Sequence, residues 1–313
     1  MESVLDFTLL PPLSAVMTVE SVDHPRWKGF IAAGTVICCW TGFNIVSRLG
    51  GKSVLTPFDM TALRFMVSGL FMLPVFFIFS NQLPWRRLVV LAWVGGTMYA
   101  LLAYSGFALA PAAHAGILIN GGVPLATALI AWLWLKDKPS GRALVALTLA
   151  ASGVLIIGVQ SLGAPHPDTP QEWLGDLFFI GAACLWASYG ILVRLWHVRP
   201  VDAMSGIAVT SAVLYLPVYI LFLPKALAAA SLNDILLQAV YQGMVAALVA
   251  AFCYAYATLS LGSSAASLML AIVPATSALL AVPLLGETIT AITGLGVLLV
   301  TAGATMGALL RKK

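Results

Sequence analysis

Residues 38–49 read CCWTGFNIVSRL and residues 184–195 read CLWASYGILVRL, so one short phrase is written twice in a chain of 313 residues. The two copies share Trp40 with Trp186, an aromatic ring at Phe43 and Tyr189, Ile45 with Ile191, and the pair Arg48-Leu49 with Arg194-Leu195. The echo extends outward in both directions. Pro57-Phe58-Asp59 returns as Pro200-Val201-Asp202, and Leu73-Pro74-Val75 as Leu216-Pro217-Val218. Val123-Pro124, Ala128-Leu129, Asp137 and Gly153 return as Val273-Pro274, Ala278-Leu279, Glu287 and Gly303. The offset drifts only from 143 to 150 residues along the chain, so the second half repeats the first.

Composition says what is being repeated. The chain is 61% hydrophobic and 9% charged, against roughly 25% charged in a soluble domain, and a water-soluble fold has no way to hide that much apolar surface. Apolar blocks recur at approximately 29–49, 58–79, 88–110, 113–135, 142–161, 173–195, 202–223, 235–259, 264–285 and 288–309. At about 20 residues each they match the hydrocarbon thickness of a bilayer. The expected fold is therefore an all-α membrane protein of ten transmembrane helices. Residues 26–161 form the first five-helix unit, 162–172 a linker and 173–313 the second unit, with 1–25 read as a disordered cytoplasmic tail. The tail lacks the basic start and cleavage site of a signal peptide, and Met17 is an alternative start. Five is odd, so the second unit enters the membrane from the opposite side, and the repeat is inverted. Inverted repeats of this kind are a mark of secondary transporters, in which two copies of one fold exchange roles around a site near the midplane.

Lys and Arg set the expected orientation. With the N-terminus inside, twelve basic residues fall in inner segments and three, Arg48, Lys52 and Lys225, on the outer side. By the positive-inside rule both termini are cytoplasmic. The net charge of +4 follows from this topology and implies no nucleic-acid partner. Cysteines introduced singly into a cysteine-free background should be labelled from outside at residue 165 and from inside at residues 86, 138 and 312. Labelling of position 165 from the cytoplasm would overturn the orientation.

Tryptophan in a membrane helix usually sits at the headgroups, yet Trp40 and Trp186 fall at mid-span. Two readings are open: both line a cavity near the pseudo-twofold axis and face each other across it, or both are packing residues. Asn44, one turn from Trp40, together with Tyr189, Tyr99, Tyr104 and Tyr254, completes an aromatic and neutral-polar set suited to flat rings. Pro124 frees the carbonyl of Asn120, with Gly121 and Gly122 between, and Pro274 does the same in the second half. Both are expected to bend the helix, as hinges or as static kinks. Arg64 lies about 9 Å inside its helix at 1.5 Å per residue, where it either meets a substrate carboxylate or snorkels toward Asp59. His114 is read as an interfacial histidine or a proton-sensitive group, and Arg48 and Arg194 as interfacial anchors or gating residues. Asp59, Asp202, Asp137 and Glu287 are placed at starts of the helices that follow them, where the backbone dipole favours a carboxylate.

W-x3-N-x3-R in helix 1, Pro57 and Arg64 in helix 2, and twice a run of small residues, a mid-helix proline and an acid (112–137 and 263–287) resemble EamA-type transporters of the drug/metabolite transporter superfamily. Among them the aromatic lining looks most like the YddG-type aromatic amino-acid exporters. The resemblance implies a bacterial inner-membrane carrier that exports small metabolites by alternating access, with helices 1–4 and 6–9 around the cavity. It covers about residues 29 to 309. In the second half Ile207 stands where Arg64 stands in the first.

No span places a carboxylate clearly at mid-depth, so the expectation is a downhill carrier, uniporter or exchanger, without obligatory proton coupling. The four cysteines have no ligand-like spacing to histidine, and no HExxH, G-x-S-x-G or paired aspartates occur. No metal, cofactor, disulfide or enzymatic activity is expected. The expected partners are a small-molecule substrate and membrane lipid. Gly303-x3-Gly307 allows close helix approach, within the chain or in a homodimer through helix 5 or helix 10. A lipid or glycolipid translocator, or an exporter of other metabolites or drugs, is the alternative of the same fold.

Overall fold

The computed structural model describes residues 26–79, 81–163, 171–262 and 268–310, so readings that fall on the N-terminal tail or on residue 165 lie outside the described residues. Ten helices long and apolar enough to cross a membrane follow in order: α1 Arg26–Lys52, α2 Pro57–Ile78, α3 Trp85–Leu109, α4 Ala112–Leu135, α5 Gly141–Gly163, α6 Glu172–Leu195, α7 Pro200–Phe222, α8 Leu232–Leu261, α9 Leu268–Leu285 and α10 Ala291–Leu310. Sequence and structure agree on their number and order, and their ends differ by a few residues.

Local chemistry explains where several helices begin. Thr56 caps α2 by accepting from the Asp59 amide, while Asp59 accepts from the Thr56 amide at 2.8 Å, a reciprocal capping box with Pro57 at the first position. Asp202 sits in the first turn of α7 and takes a forked pair of bonds from Arg199 at 2.6 and 2.8 Å. The expectation for Asp137 and Glu287 is corrected. Each closes a turn on the helix behind it, its amide bonding to Ala131 O or Ala281 O past a left-handed residue, Lys136 at φ 55° or Gly286 at φ 67°. Neither side chain serves the next helix. Asp137 is exposed, and Glu287 reaches across to α4.

Packing follows the repeat. α1 lies against α8 as α3 lies against α6, α9 meets α1 as α4 meets α6, and α2 pairs with α7 and α5 with α10, so each contact maps onto another or onto itself when the halves are exchanged. The α5–α10 pair is the tightest by design of its residues. A Cβ on Gly303 would lie 2.6 Å from Ala146 O and 2.7 Å from Ala150 N, and one on Gly153 2.7 Å from Gly296 O. The small-residue stripe of α10 is thus used inside the chain, against α5. Gly303→Ala should lower stability by on the order of 1 kcal/mol, since backbone atoms must move to admit a methyl group; an unchanged thermal midpoint in detergent would contradict this packing.

Rings fill the centre of the larger core, where Phe43 meets Phe107 edge-on at 5.6 Å and Phe107 meets Phe179 at 4.9 Å. Burial is uneven along the helices. Residues 43–48 of α1 and 112–119 of α4 are buried without a break, whereas Trp27, Phe30 and Ile31 of α1 and Trp132, Leu133 and Trp134 of α4 are exposed. The halves of α1 and α4 far from Arg26 and Leu310 are therefore the buried ones, and that end of the bundle is called the far end below.

Candidate functional site

Each mid-span tryptophan packs on a tyrosine from the third helix of the other half. Trp40 of α1 lies 5.6 Å from Tyr254 of α8, and Trp186 of α6 lies 4.9 Å from Tyr99 of α3 and 5.0 Å from Tyr189. The structure assembles these residues as two separate groups, each tryptophan half-buried against a tyrosine of the other half.

Backbone irregularity makes room for these rings. α3 is wound as a π-helix over Ala92–Thr97, and α8 over Tyr241–Val249, at equivalent places in the two halves. The wider turn often marks functional segments. Gly95 in the first of them is required by Tyr189, whose ring would lie 2.6 Å from any added Cβ. In α4 a third π-helical segment, Gly116–Asn120, ends at Gly121 and is followed by Gly122 and Pro124. In α9 the regular helix resumes only at Val273, immediately before Pro274. Helix winding is thus interrupted at both sites expected to bend.

Neutral polar side chains link the helices behind the rings. Asn44 donates to Ser277 Oγ at 2.8 Å, and Thr41 and Thr276 share a 2.6 Å bond, tying α1 to α9. Asn44 is therefore engaged within the protein. Tyr104, wholly buried, donates to Gln242 Oε1 at 3.2 Å; Gln242 Nε2 donates to Ser47 Oγ and to Gln238 Oε1, both at 3.0 Å, and Gln238 Nε2 donates to Val46 O at 2.8 Å. Neither glutamine was singled out from the sequence, although two of them one turn apart in an apolar span were the available signal. Arg64 reaches this network at its edge, Nη1 lying 3.4 Å from Tyr104 Oη. It does not snorkel to Asp59, whose carboxylate is taken by Thr56, Tyr219 and the Ala226 amide.

The far end is held by charge. Arg48 is 5% exposed; its Nε lies 2.9 Å from Glu287 Oε1 and its Nη1 donates to Phe107 O at 2.7 Å. Glu287 Oε2 accepts from the Ala112 amide at 2.9 Å, so one carboxylate joins α1, α9 and the first turn of α4. Arg48 is accordingly a buried clasp, and the anchor reading is corrected. Its counterpart in the other half, Arg194, is exposed, as is Asp137, the counterpart of Glu287.

The interfacial reading of His114 is corrected in the same way. It is 2% exposed, with Nδ1 2.9 Å from Asp176 Oδ1 and 3.4 Å from Glu172 Oε1, while Ser161 Oγ donates to Asp176 Oδ2 at 2.5 Å. The side chain turns inward because α4, α5 and α6 converge at that point. One ligand-type atom from each of His114, Glu172 and Asp176 falls within 4.8 Å of the others, and the contacts they make are those of a hydrogen-bonded cluster. Of the residues expected at the site, Trp186, Tyr189 and Tyr99 come together, Trp40 joins Tyr254, Arg64 joins Tyr104, and His114 belongs to the far-end locks.

The EamA-like transporter family matches this chain twice, over residues 27–159 and 173–308, one match for each half. The uncharacterized transporter YwfM of Bacillus subtilis (strain 168) is 26% identical over 271 residues, which cover 84% of this chain and 88% of that protein. A solved crystal structure, 20% identical, superposes with a TM-score of 0.63 over 92% of this chain and 100% of its own, a likeness of fold.

Proposed function

Because the chain belongs to the EamA-like transporter family, we propose that it is a secondary transporter exporting small amphipathic metabolites, aromatic and other apolar amino acids foremost, across a bacterial inner membrane with both termini cytoplasmic. The observation that carries this reading is the pair of half-buried Trp–Tyr groups, Trp40–Tyr254 and Trp186–Tyr99–Tyr189, each built on the equivalent tryptophan of its half and on the third helix of the other half. Flat rings stack on such walls by dispersion, and neutral hydroxyl and amide groups nearby orient the polar end without a fixed ion.

Alternating access fits the uneven packing. One end is clasped by Arg48–Glu287 and the His114 cluster, while the equivalent charged residues at the other end, Arg194 and Asp137, are exposed. Two such arrangements related by exchange of the halves are what an inverted repeat supplies. The interrupted winding before Pro124 and Pro274 gives α4 and α9 places to bend between them. Transport is downhill, since among the described residues no carboxylate stands beside the aromatic groups; Asp59, Glu172, Asp176 and Glu287 all lie toward the far ends of their helices and are engaged there. Flux of phenylalanine down its own gradient should persist in proteoliposomes whose proton gradient has been collapsed by an ionophore. Loss of nearly all flux under that condition would sink the downhill reading.

A further inference from the structure

Arg64 is a guanidinium about two turns inside a membrane helix and 9% exposed, yet among the described residues it forms no ion pair. Its one hydrogen-bond partner is the Tyr104 hydroxyl at 3.4 Å, a long contact for a charged donor. The rings of Phe43 and Phe65, each 6.0 Å from the guanidinium carbon, stabilise a cation but accept none of its five N–H bonds in the plane of the fork. The neighbouring carboxylate, Asp59, is fully occupied elsewhere. A buried cation left this way is costly unless an anion meets it.

A second group points to the same place. Ser68, four residues along α2 and hence on the same face as Arg64, is 1% exposed, and its hydroxyl has no hydrogen-bond partner. A planar monoanion that accepted from the Arg64 fork and from Ser68 Oγ would satisfy both. Phosphate and other dianions fit less well, because Ser68 and Tyr104 add only neutral donors to the single charge of Arg64.

We propose that Arg64 and Ser68 form a carboxylate-binding subsite, which makes the transported substrates carboxylates or zwitterions and excludes amines that lack the acid group. The subsite deepens the aromatic-metabolite reading and rests on it for the ring end of the ligand. Arg64 reaches Tyr104 of α3, and Tyr99 on the same helix packs on Trp186, so the subsite and the Trp186 group share one stretch of α3. A ligand with a carboxylate and a ring can therefore bridge the two. Ile207, at the place in α7 equivalent to Arg64, brings no second cation, so the recognition is one-sided and gives the substrate a defined polarity in the cavity.

The test compares 3-phenylpropionate with phenethylamine, which have the same ring and opposite charge, as thermal stabilisers of the purified protein, alongside propionate as a ringless acid. Phenylpropionate should stabilise and phenethylamine should not, and Arg64→Gln should weaken phenylpropionate binding by about tenfold or more, the scale of a lost charge-assisted hydrogen bond. Arg64→Lys should recover part of the loss. Ser68→Ala, which keeps the charge and little disturbs packing, should give a smaller loss, about two- to fivefold. Equal stabilisation by phenethylamine, or an undiminished phenylpropionate effect in both Arg64→Gln and Ser68→Ala, overturns the carboxylate subsite and leaves the aromatic reading intact. Stabilisation by propionate equal to that by phenylpropionate, lost in Arg64→Gln, keeps the subsite and overturns the aromatic reading. Failure of all three compounds counts against both.

Discussion

Arg48→Met should unfasten the far end of the bundle. The substitution leaves Glu287 buried with the Ala112 amide as its remaining partner and removes the donor to Phe107 O. Removing one partner of a buried ion pair costs about 3–5 kcal/mol, because the other charge stays buried without compensation. That cost falls on the conformation in which the pair exists. The expected result is a shift toward the alternative state, seen as rapid labelling by an impermeant thiol reagent at Ser47→Cys, a position wholly buried in the clasped arrangement, together with loss of transport. Replacing both residues, Arg48→Met with Glu287→Met, should restore much of the closed population, since no unpaired charge remains. The inverted repeat adds a further demand. Arg194 and Asp137, exposed and apart from any ion pair in this structure, should clasp the opposite end in the alternative state, so a disulfide between Asp137→Cys and Arg194→Cys should form faster in the Arg48→Met background. Equal rates in both backgrounds would mean that the two ends are not reciprocally locked.

Trp186→Ala should cost more than Trp40→Ala. Trp186 touches two rings, Tyr99 and Tyr189, whereas Trp40 touches Tyr254. Each aromatic contact is worth about 0.5–1.5 kcal/mol beyond the area it buries, so loss of the Trp186 wall should weaken aromatic substrates roughly tenfold, with Trp186→Phe milder. Transport should fall far more than the amount of folded protein in the membrane. In the carrier cavity proposed above, a bound substrate should protect both tryptophans from modification despite the 146 residues between them. Normal export and unchanged substrate preference in Trp186→Ala would return both tryptophans to a packing role.

The repeat was legible because CCWTGFNIVSRL and CLWASYGILVRL keep the same residue types, and a helix-long apolar block needs no partner to be recognised. Helix ends were legible where a local device marks them, as at Thr56-Pro57 with Asp59. What stayed hidden depends on distance between chain-remote segments. The burial of His114 follows from Asp176, 62 residues away, and that of Arg48 from Glu287, 239 residues away; neither partner is marked by spacing. Tyr99, Tyr189 and Tyr254 were grouped with the tryptophans from the sequence, but that Trp40 meets Tyr254 and Trp186 meets Tyr99 was out of reach, since those tyrosines come from the opposite half. The π-helical turns had only Gly95-Gly96 as a cue in α3 and none as clear in α8. Single-residue chemistry could be read, and pairing across the pseudo-twofold could not.

The central proposal is that a ring-bearing small molecule crosses the membrane through this protein. Uptake of radiolabelled phenylalanine into proteoliposomes preloaded with unlabelled phenylalanine, with scrambling of a fluorescent phospholipid followed in the same vesicles, addresses it directly. Saturable uptake above protein-free vesicles, lowered by Trp186→Ala and unaccompanied by scrambling, is the result expected. Phospholipid scrambling without phenylalanine exchange would contradict it.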